Sequence, residues 1–186
     1  MQDYVTVGAD SLLENDVRLL VRLAIAEDLS DSVDWTSVCL IDEETLGACQ
    51  IVPRQSGVCA GLATLPWIID EFEADLSLEP LSEDGKPLVP GKPIARLRGN
   101  VRDLLTSERT ILNVLSRTCG VATLVKSYVD AVAGSAAKVY DTRKTTPGWR
   151  LLEKYAVGCG GGRNHRRGLY DGFLLKDNHL QLGGTG

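Results

Sequence analysis

Long apolar runs are missing from this chain. No stretch of about 18 apolar residues occurs, so no membrane-spanning helix is expected. The N-terminus, MQDYVTVGAD, lacks a basic segment followed by an apolar one, so no signal peptide is expected and the compartment is expected to be cytoplasmic. Cysteine is scattered. Cys39, Cys49, Cys59, Cys119 and Cys159 are odd in number and contain no C-x-x-C pair, which argues against a disulfide framework. With only His165 and His179 as histidines, a clustered zinc donor set is also lacking. Buried free thiols in a reducing compartment are the expectation. No G-x-x-x-x-G-K-[ST] is present, which excludes a phosphate loop of that kind. Nor does a Ser-His or Cys-His arrangement suggest a covalent enzyme intermediate. Repeats and low-complexity segments are absent too.

What is present is enough to build a core. Hydrophobic residues make up 44% of the 186, a composition suited to one domain or two small ones. The net charge of −5 hides an asymmetry. Residues 138–176 hold nine basic residues against Asp141, Glu153 and Asp171, a net of +6, and the rest of the chain carries −11. Nucleic-acid binding favours a broad basic face. One basic segment in an acidic protein is better suited to drawing a small anion into a cleft.

Residues 11–29 place Leu12, Leu13, Asp16 or Val17, Leu20, and Leu23 or Ala24 at helical spacing after an Asp10 or Ser11 cap. SDSVDWTSV reads as polar and turn-rich. Short strands are expected at 47–52, 58–62 and 94–97, with a helix at 63–72 between them. A long helix is expected over 101–132, with Leu104 or Leu105, Ile111 or Leu112, Leu115, and Leu124 or Val125 toward the core and Gly134 as its stop. Strand 137–140, helix 149–157, the glycine loop 158–162 and strand 172–175 follow, the alternation of an α/β barrel or parallel sheet.

Both of those last strands end on a basic tip. Val139-Tyr140 leads into Asp141-Thr142-Arg143-Lys144, and Phe173-Leu174-Leu175 leads into Lys176-Asp177-Asn178-His179. In parallel α/β folds the carboxyl ends of the strands face the ligand, which would send Arg143, Lys144 and Lys176 into one mouth. A single basic strand end is ordinarily just solvated; two flanking a basic loop are less so. That loop, GCGGGRNHRRG at 158–168, follows three consecutive glycines with Asn164-His165-Arg166-Arg167. A glycine run alone is usually a surface turn, but it also permits close backbone approach. Arg166 can grip a carboxylate or phosphate through two parallel hydrogen bonds, which lysine cannot.

The segments DTRKTTPGWRLLEKYAVGCGGGRNHRRGLYDGFLLKDNH and VRDLLTSERTILNVLSR, with fainter AIAEDL…DWTS and LVPGKPI, resemble quinolinate phosphoribosyltransferase, the carboxylating nicotinate-nucleotide diphosphorylase. The resemblance covers nearly the whole chain. It implies an α/β fold class, with an N-terminal α+β sandwich-like domain (1–112) followed by the first, incomplete part of an α/β barrel (113–186), assembled as a homodimer or higher homo-oligomer. It implies conversion of quinolinate and phosphoribosyl pyrophosphate, with Mg2+, to nicotinate mononucleotide, pyrophosphate and CO2 in NAD biosynthesis. Carried over by motif, Thr142, Arg143, His165 and Arg166 would bind quinolinate. Lys144 and Lys176 would complete the cationic pocket as the catalytic pair. Arg109, in SERTILN, would reach into the partner subunit's site.

Family members continue beyond the position of Gly186 through further strand–helix units. The acidic ligands for ribose and Mg2+ and a glycine-rich phosphate loop are expected there. A fragment of a longer protein, inactive by itself, is therefore the expectation. Gly158 occupies a position often basic in bacterial members, and Arg163 lies a few residues later. The alternatives are a non-catalytic truncated paralogue that keeps the anion pocket and dimer surface, and the related pyrophosphorylase-like protein linked to molybdenum transport.

Overall fold

A computed structural model describes residues 4–183. Its first helix, α1 (Ser11–Leu29), starts where the Asp10 carboxylate accepts the backbone N–H groups of Leu12 and Leu13, both at 3.1 Å. Those are two of the donors that a helix start leaves without partners. Its buried stripe is Leu13, Val17 and Val21, spaced by four residues. Leu12 and Leu23, both at the helical spacing read from the sequence, are exposed. The buried face is one i, i+4 row, narrower than the sequence pattern suggested.

The polar stretch expected as a turn folds from Trp35 into a short helix, α2 (Trp35–Leu40). Asp34 caps it, accepting from Ser37 N at 3.1 Å and from the Ser37 hydroxyl. A three-stranded antiparallel sheet follows, ordered β1 (Leu46–Ile51), β5 (Ala95–Asn100), β3 (Leu76–Pro80). β5 is central, turning Ala95 and Leu97 into the core, while Arg96 pairs with Glu79 across the strands at 2.8 Å. The strand expected at 58–62 shortens to β2 (Gly57–Val58), paired with β4 (Pro87–Leu88). Beyond β2 the chain turns at Leu62–Thr64 into α3 (Leu65–Glu71). β3 and β4 were not expected: they are very short, and each carries a proline, which disfavours strand by sequence.

The next helix, α4 (Val101–Ala131), begins at Asn100, whose side chain accepts Arg102 N at 2.8 Å. It buries Leu104, Ile111, Val114, Leu115, Thr118 and Ala122; Leu105 and Leu124 are exposed. It runs as one helix through 112–113, and Gly134 takes a left-handed φ of 85° just beyond its end. α4 carries β1 and β5 on its first half and α5 (Arg150–Cys159) on its second. One buried cluster joins Leu13, Val17 and Val21 of α1, Leu65 and Ile68 of α3, Leu97 of β5, Ile111 and Leu115 of α4, and Leu152 and Tyr155 of α5.

The strand expected at 137–140 is reduced to a parallel bridge between Tyr140 and Arg163, with Arg163 N donating to Val139 O at 2.8 Å and Asp141 N to Arg163 O at 3.0 Å. The strand expected at 172–175 does not form among the described residues. Phe173 there is fully exposed, because a buried strand needs ladder partners on both sides and a layer above it, and neither reaches this segment. A short last helix, α6 (Asp177–Leu182), closes the described chain. Among the described residues no helix is long and apolar enough to cross a membrane. The thiols depart from expectation too: Cys39 and Cys49 are exposed, and only Cys59 is fully buried.

Candidate substrate site

The parallel bridge sets two basic segments side by side. On one strand end Asp141 precedes Thr142-Arg143-Lys144; on the other Arg163 and Asn164 precede His165-Arg166. Asp141 is the joint between them. Its carboxylate accepts the backbone N–H of His165 at 2.7 Å, the side-chain amide of Asn164 at 2.7 Å and the ammonium of Lys154 from α5. Lys154 also donates to His165 O at 3.0 Å. Asn164 is fully used: its oxygen accepts Val7 N at 2.7 Å, and its nitrogen also donates to Lys154 O at 2.9 Å.

The Thr142–Lys144 tip folds on itself, with Lys144 N donating to Thr142 Oγ1 at 3.0 Å. Thr142 and Lys144 are exposed, whereas Arg143 is half-buried. Its Nε is buried and has no hydrogen-bond partner among the described residues. Buried donors are nearly always paired, so an unpaired guanidinium N–H beside a basic loop is a donor prepared for an acceptor.

In the facing loop, His165 Nδ1 accepts Arg166 N at 2.8 Å. The ring stacks on Tyr4, with centroids 4.7 Å apart. Arg166 is only 5% exposed and donates from Nη1 to Gly172 O at 2.9 Å. Asp171 turns the loop by accepting Arg167 N at 2.7 Å and Gly168 N at 2.9 Å. Burial opposes ionisation of Asp171, but those backbone donors outweigh it and hold the carboxyl below its usual range.

Two further contacts hold these segments in place. Thr146-Pro147-Gly148-Trp149 is a tight turn closed by Trp149 N to Thr146 O at 3.0 Å, with Gly148 at φ 80°, the geometry that asks for proline then glycine. Arg117 of α4 fastens this turn, donating to Thr146 Oγ1 at 2.8 Å and to Glu153 of α5 at 2.5 Å. The glycine run serves packing. A Cβ at Gly160 would stand 2.4 Å from Ala122 O, and one at Gly162 would stand 2.8 Å from Val125 Cγ1. Those glycines let α5 and its loop lie directly on α4.

Thr142, Arg143 and Lys144 thus lie opposite His165 and Arg166. Lys176 is exposed at the start of α6, its N–H donating to His179 Nδ1 at 3.0 Å. Arg109 is exposed on α4 and lines a separate groove of about 1250 Å³ with Arg54, Asn113 and Ser116, against the segment after β1. Sequence reasoning missed Asp141, Lys154 and Asn164 as working residues. A signal was available: Lys154 interrupts the apolar run of α5, and Asp141 is a rare acid in a strongly basic stretch.

Two family models divide the chain between them, and both describe phosphoribosyl transferase domains. The family model described as quinolinate phosphoribosyl transferase, N-terminal domain, matches residues 34–119, and that of the C-terminal domain matches 121–185. A carboxylating nicotinate-nucleotide pyrophosphorylase of Mycobacterium leprae is 42% identical over 89% of this chain and 59% of its own. A chloroplastic relative of the same name from Arabidopsis thaliana is 36% identical over 91% of this chain and 48% of its own. The solved nicotinate-nucleotide pyrophosphorylase of Francisella tularensis superposes with a TM-score of 0.87 at 34% identity, over 97% of this chain and 63% of that one. The chain belongs to the quinolinate phosphoribosyltransferase family. It spans about half to three-fifths of the length of those two curated relatives, comprising the N-terminal α+β domain and the opening part of the α/β barrel.

Proposed function

We propose that this chain carries the quinolinate-binding wall of an enzyme that joins quinolinate to phosphoribosyl pyrophosphate, releasing nicotinate mononucleotide, pyrophosphate and CO2 in NAD biosynthesis. The observation that carries the reading is the buried, unpartnered Nε of Arg143, set opposite a loop that offers His165 and Arg166. A pyridine dicarboxylate brings two planar anionic groups to such donors, and fixing them orients the ring nitrogen. In this reading that nitrogen attacks C1′ of the ribose as pyrophosphate departs with the bonding pair. The quaternised ring then takes the electron pair left as the adjacent carboxylate leaves as CO2, and a proton replaces it. Thr142, Arg143, His165 and Arg166 hold the dicarboxylate. Lys144 and Lys176 are the catalytic cations, stabilising the departing negative charge.

The division of labour is part of the same proposal. Residues 1–112 form the scaffold, residues 113–186 bear the wall, and Arg109 reaches the partner subunit's wall in a homodimer. Mg2+ is proposed to accompany the phosphoribosyl pyrophosphate. Among the described residues no three His, Cys, Asp or Glu side chains are placed to hold a metal ion, so no step here passes through one.

Calorimetric titration of quinolinate into the chain tests the reading, with Arg166→Lys as the key variant. Lysine keeps the charge and loses the fork, so binding should weaken by about 1–3 kcal/mol. Equal affinity would remove Arg166 from the site, and absence of quinolinate binding by the parent chain would sink the proposal. Little or no nicotinate mononucleotide is expected from the 186-residue chain alone, measured with both substrates and Mg2+.

A further inference from the structure

Lys154 is 0% exposed, in the middle of a helix whose neighbouring buried residues are Leu152, Tyr155 and Ala156. Its ammonium reaches two acceptors, Asp141 Oδ1 and His165 O. Asp141 in turn gathers Lys154, Asn164, itself 1% exposed, and the backbone of His165. Burying such a pair is a poor way to gain stability, since packed apolar residues of the same volume commonly do as well or better. What the pair does have is position. Asp141 is joined covalently to the Thr142–Lys144 tip, and Asn164 to His165-Arg166. Between them stands one charged nitrogen, carried by a third element.

We propose that Lys154 is a positioning residue: through Asp141 and Asn164 it sets the separation and orientation of the Thr142–Lys144 tip and the His165–Arg166 loop, without touching substrate. The inference rests on the reading of those segments as an anion site. Removing the ammonium leaves a buried carboxylate with neutral donors only, which drives Asp141 toward water and draws Arg143 with it. Small displacements of holding groups are costly to binding and rate alike, so the effect falls on substrate handling before it falls on the fold.

The test compares Lys154→Met, Asp141→Asn and the double variant with the parent chain. Two readouts are taken at a temperature where circular dichroism shows each to be folded. One is amide hydrogen exchange at His165, whose N–H is held by Asp141, against the buried α4 amides of Ile111–Leu115. The other is quinolinate affinity. Lys154→Met should lower protection of His165 at least about tenfold more than it lowers that of the α4 amides, which follow global stability, and weaken quinolinate binding by about ten- to a hundredfold. The double variant, with no unpaired buried charge, should regain melting temperature but neither His165 protection nor affinity. Recovery of all three together would show a packing role only and overturn the proposal. If Lys154→Met alone does not fold, the double variant decides. If the parent chain takes no quinolinate, the site reading fails separately, and the exchange measurement still decides: unchanged His165 protection in Lys154→Met rejects the positioning role.

Discussion

Side chains of one chemical type divide into different roles here according to what surrounds them. Arg117 and Arg150 are spent on the protein itself, Arg117 on Thr146 and Glu153, and Arg150 on Thr145 and the Arg167 carbonyl. Arg143 keeps a buried donor unspent. The net of +6 read from residues 138–176 is untouched by the Lys154–Asp141 pair, which takes one charge of each sign out of solvent. Away from the site, Asp34 shows how a single carboxylate makes stability depend on pH. Hydrogen bonds from the Ser37 hydroxyl and backbone hold its carboxyl below the ordinary range. A carboxyl depressed in the folded state contributes above its unfolded pKa and loses that contribution as pH falls through the folded value. Asp34→Ala should therefore cost about 0.5–2 kcal/mol at neutral pH, as N-cap losses do, and progressively less below about pH 4. Urea denaturation of both proteins at pH 7 and pH 3 checks this; equal differences at the two pH values would contradict it.

At the scale of elements, the contact of α5 with α4 positions the wall. Lys154 and Glu153 both project from α5, so the wall inherits whatever accuracy that contact has. The contact is close because Gly160 presents no side chain to the Ala122 carbonyl. Gly160→Ala should push the two apart and destabilise the chain by about 1–3 kcal/mol, the usual cost of overpacking, read as a lower urea midpoint. Wild-type stability would mean that α4 yields at Ala122 without cost. α1, α3, α4 and α5 were all legible in the sequence, since each carries a helical-period apolar pattern. β3 and β4 were not, because two- to five-residue pieces with prolines are strands only by virtue of their neighbours.

For the whole molecule, the decisive feature is that the N-terminal elements and α5, which carries Lys154, share one core. Asp84 makes the tie outside the apolar cluster. It accepts Leu62 N at 2.9 Å and Ala63 N at 3.1 Å ahead of α3, and the Tyr155 hydroxyl of α5 at 2.6 Å. Burial, then the hydrogen bond to Asp84, pushes the Tyr155 phenol well above its ordinary range, so it stays a donor. Around the same carboxylate, burial pushes the Cys159 thiol up to about 12, which keeps it protonated. Tyr155→Phe should lower stability by about 1.5–3 kcal/mol, a hydrogen bond to a charged group. It should do so in a single transition, seen at the same temperature by far-ultraviolet dichroism and by tryptophan fluorescence from Trp67 and Trp149. Separate transitions would mean that the two parts fold independently.

The sequence by itself determined the class of structure, the helices α1, α3, α4 and α5, and the basic segment, because each rests on local periodicity or charge. The TRKTTPG and NHRRG motifs further pointed, through resemblance, to the two segments that Asp141 joins. Tertiary structure alone decided that 172–175 is no strand here, that two glycines of the run serve helix packing, and that Asp141, Lys154 and Asn164 join the halves. The last of these depends on groups 10 to 24 residues apart meeting in a buried space. Neither hydrophobic period nor charge count encodes which buried lysine finds which carboxylate; that is settled by the packing of α5 on α4.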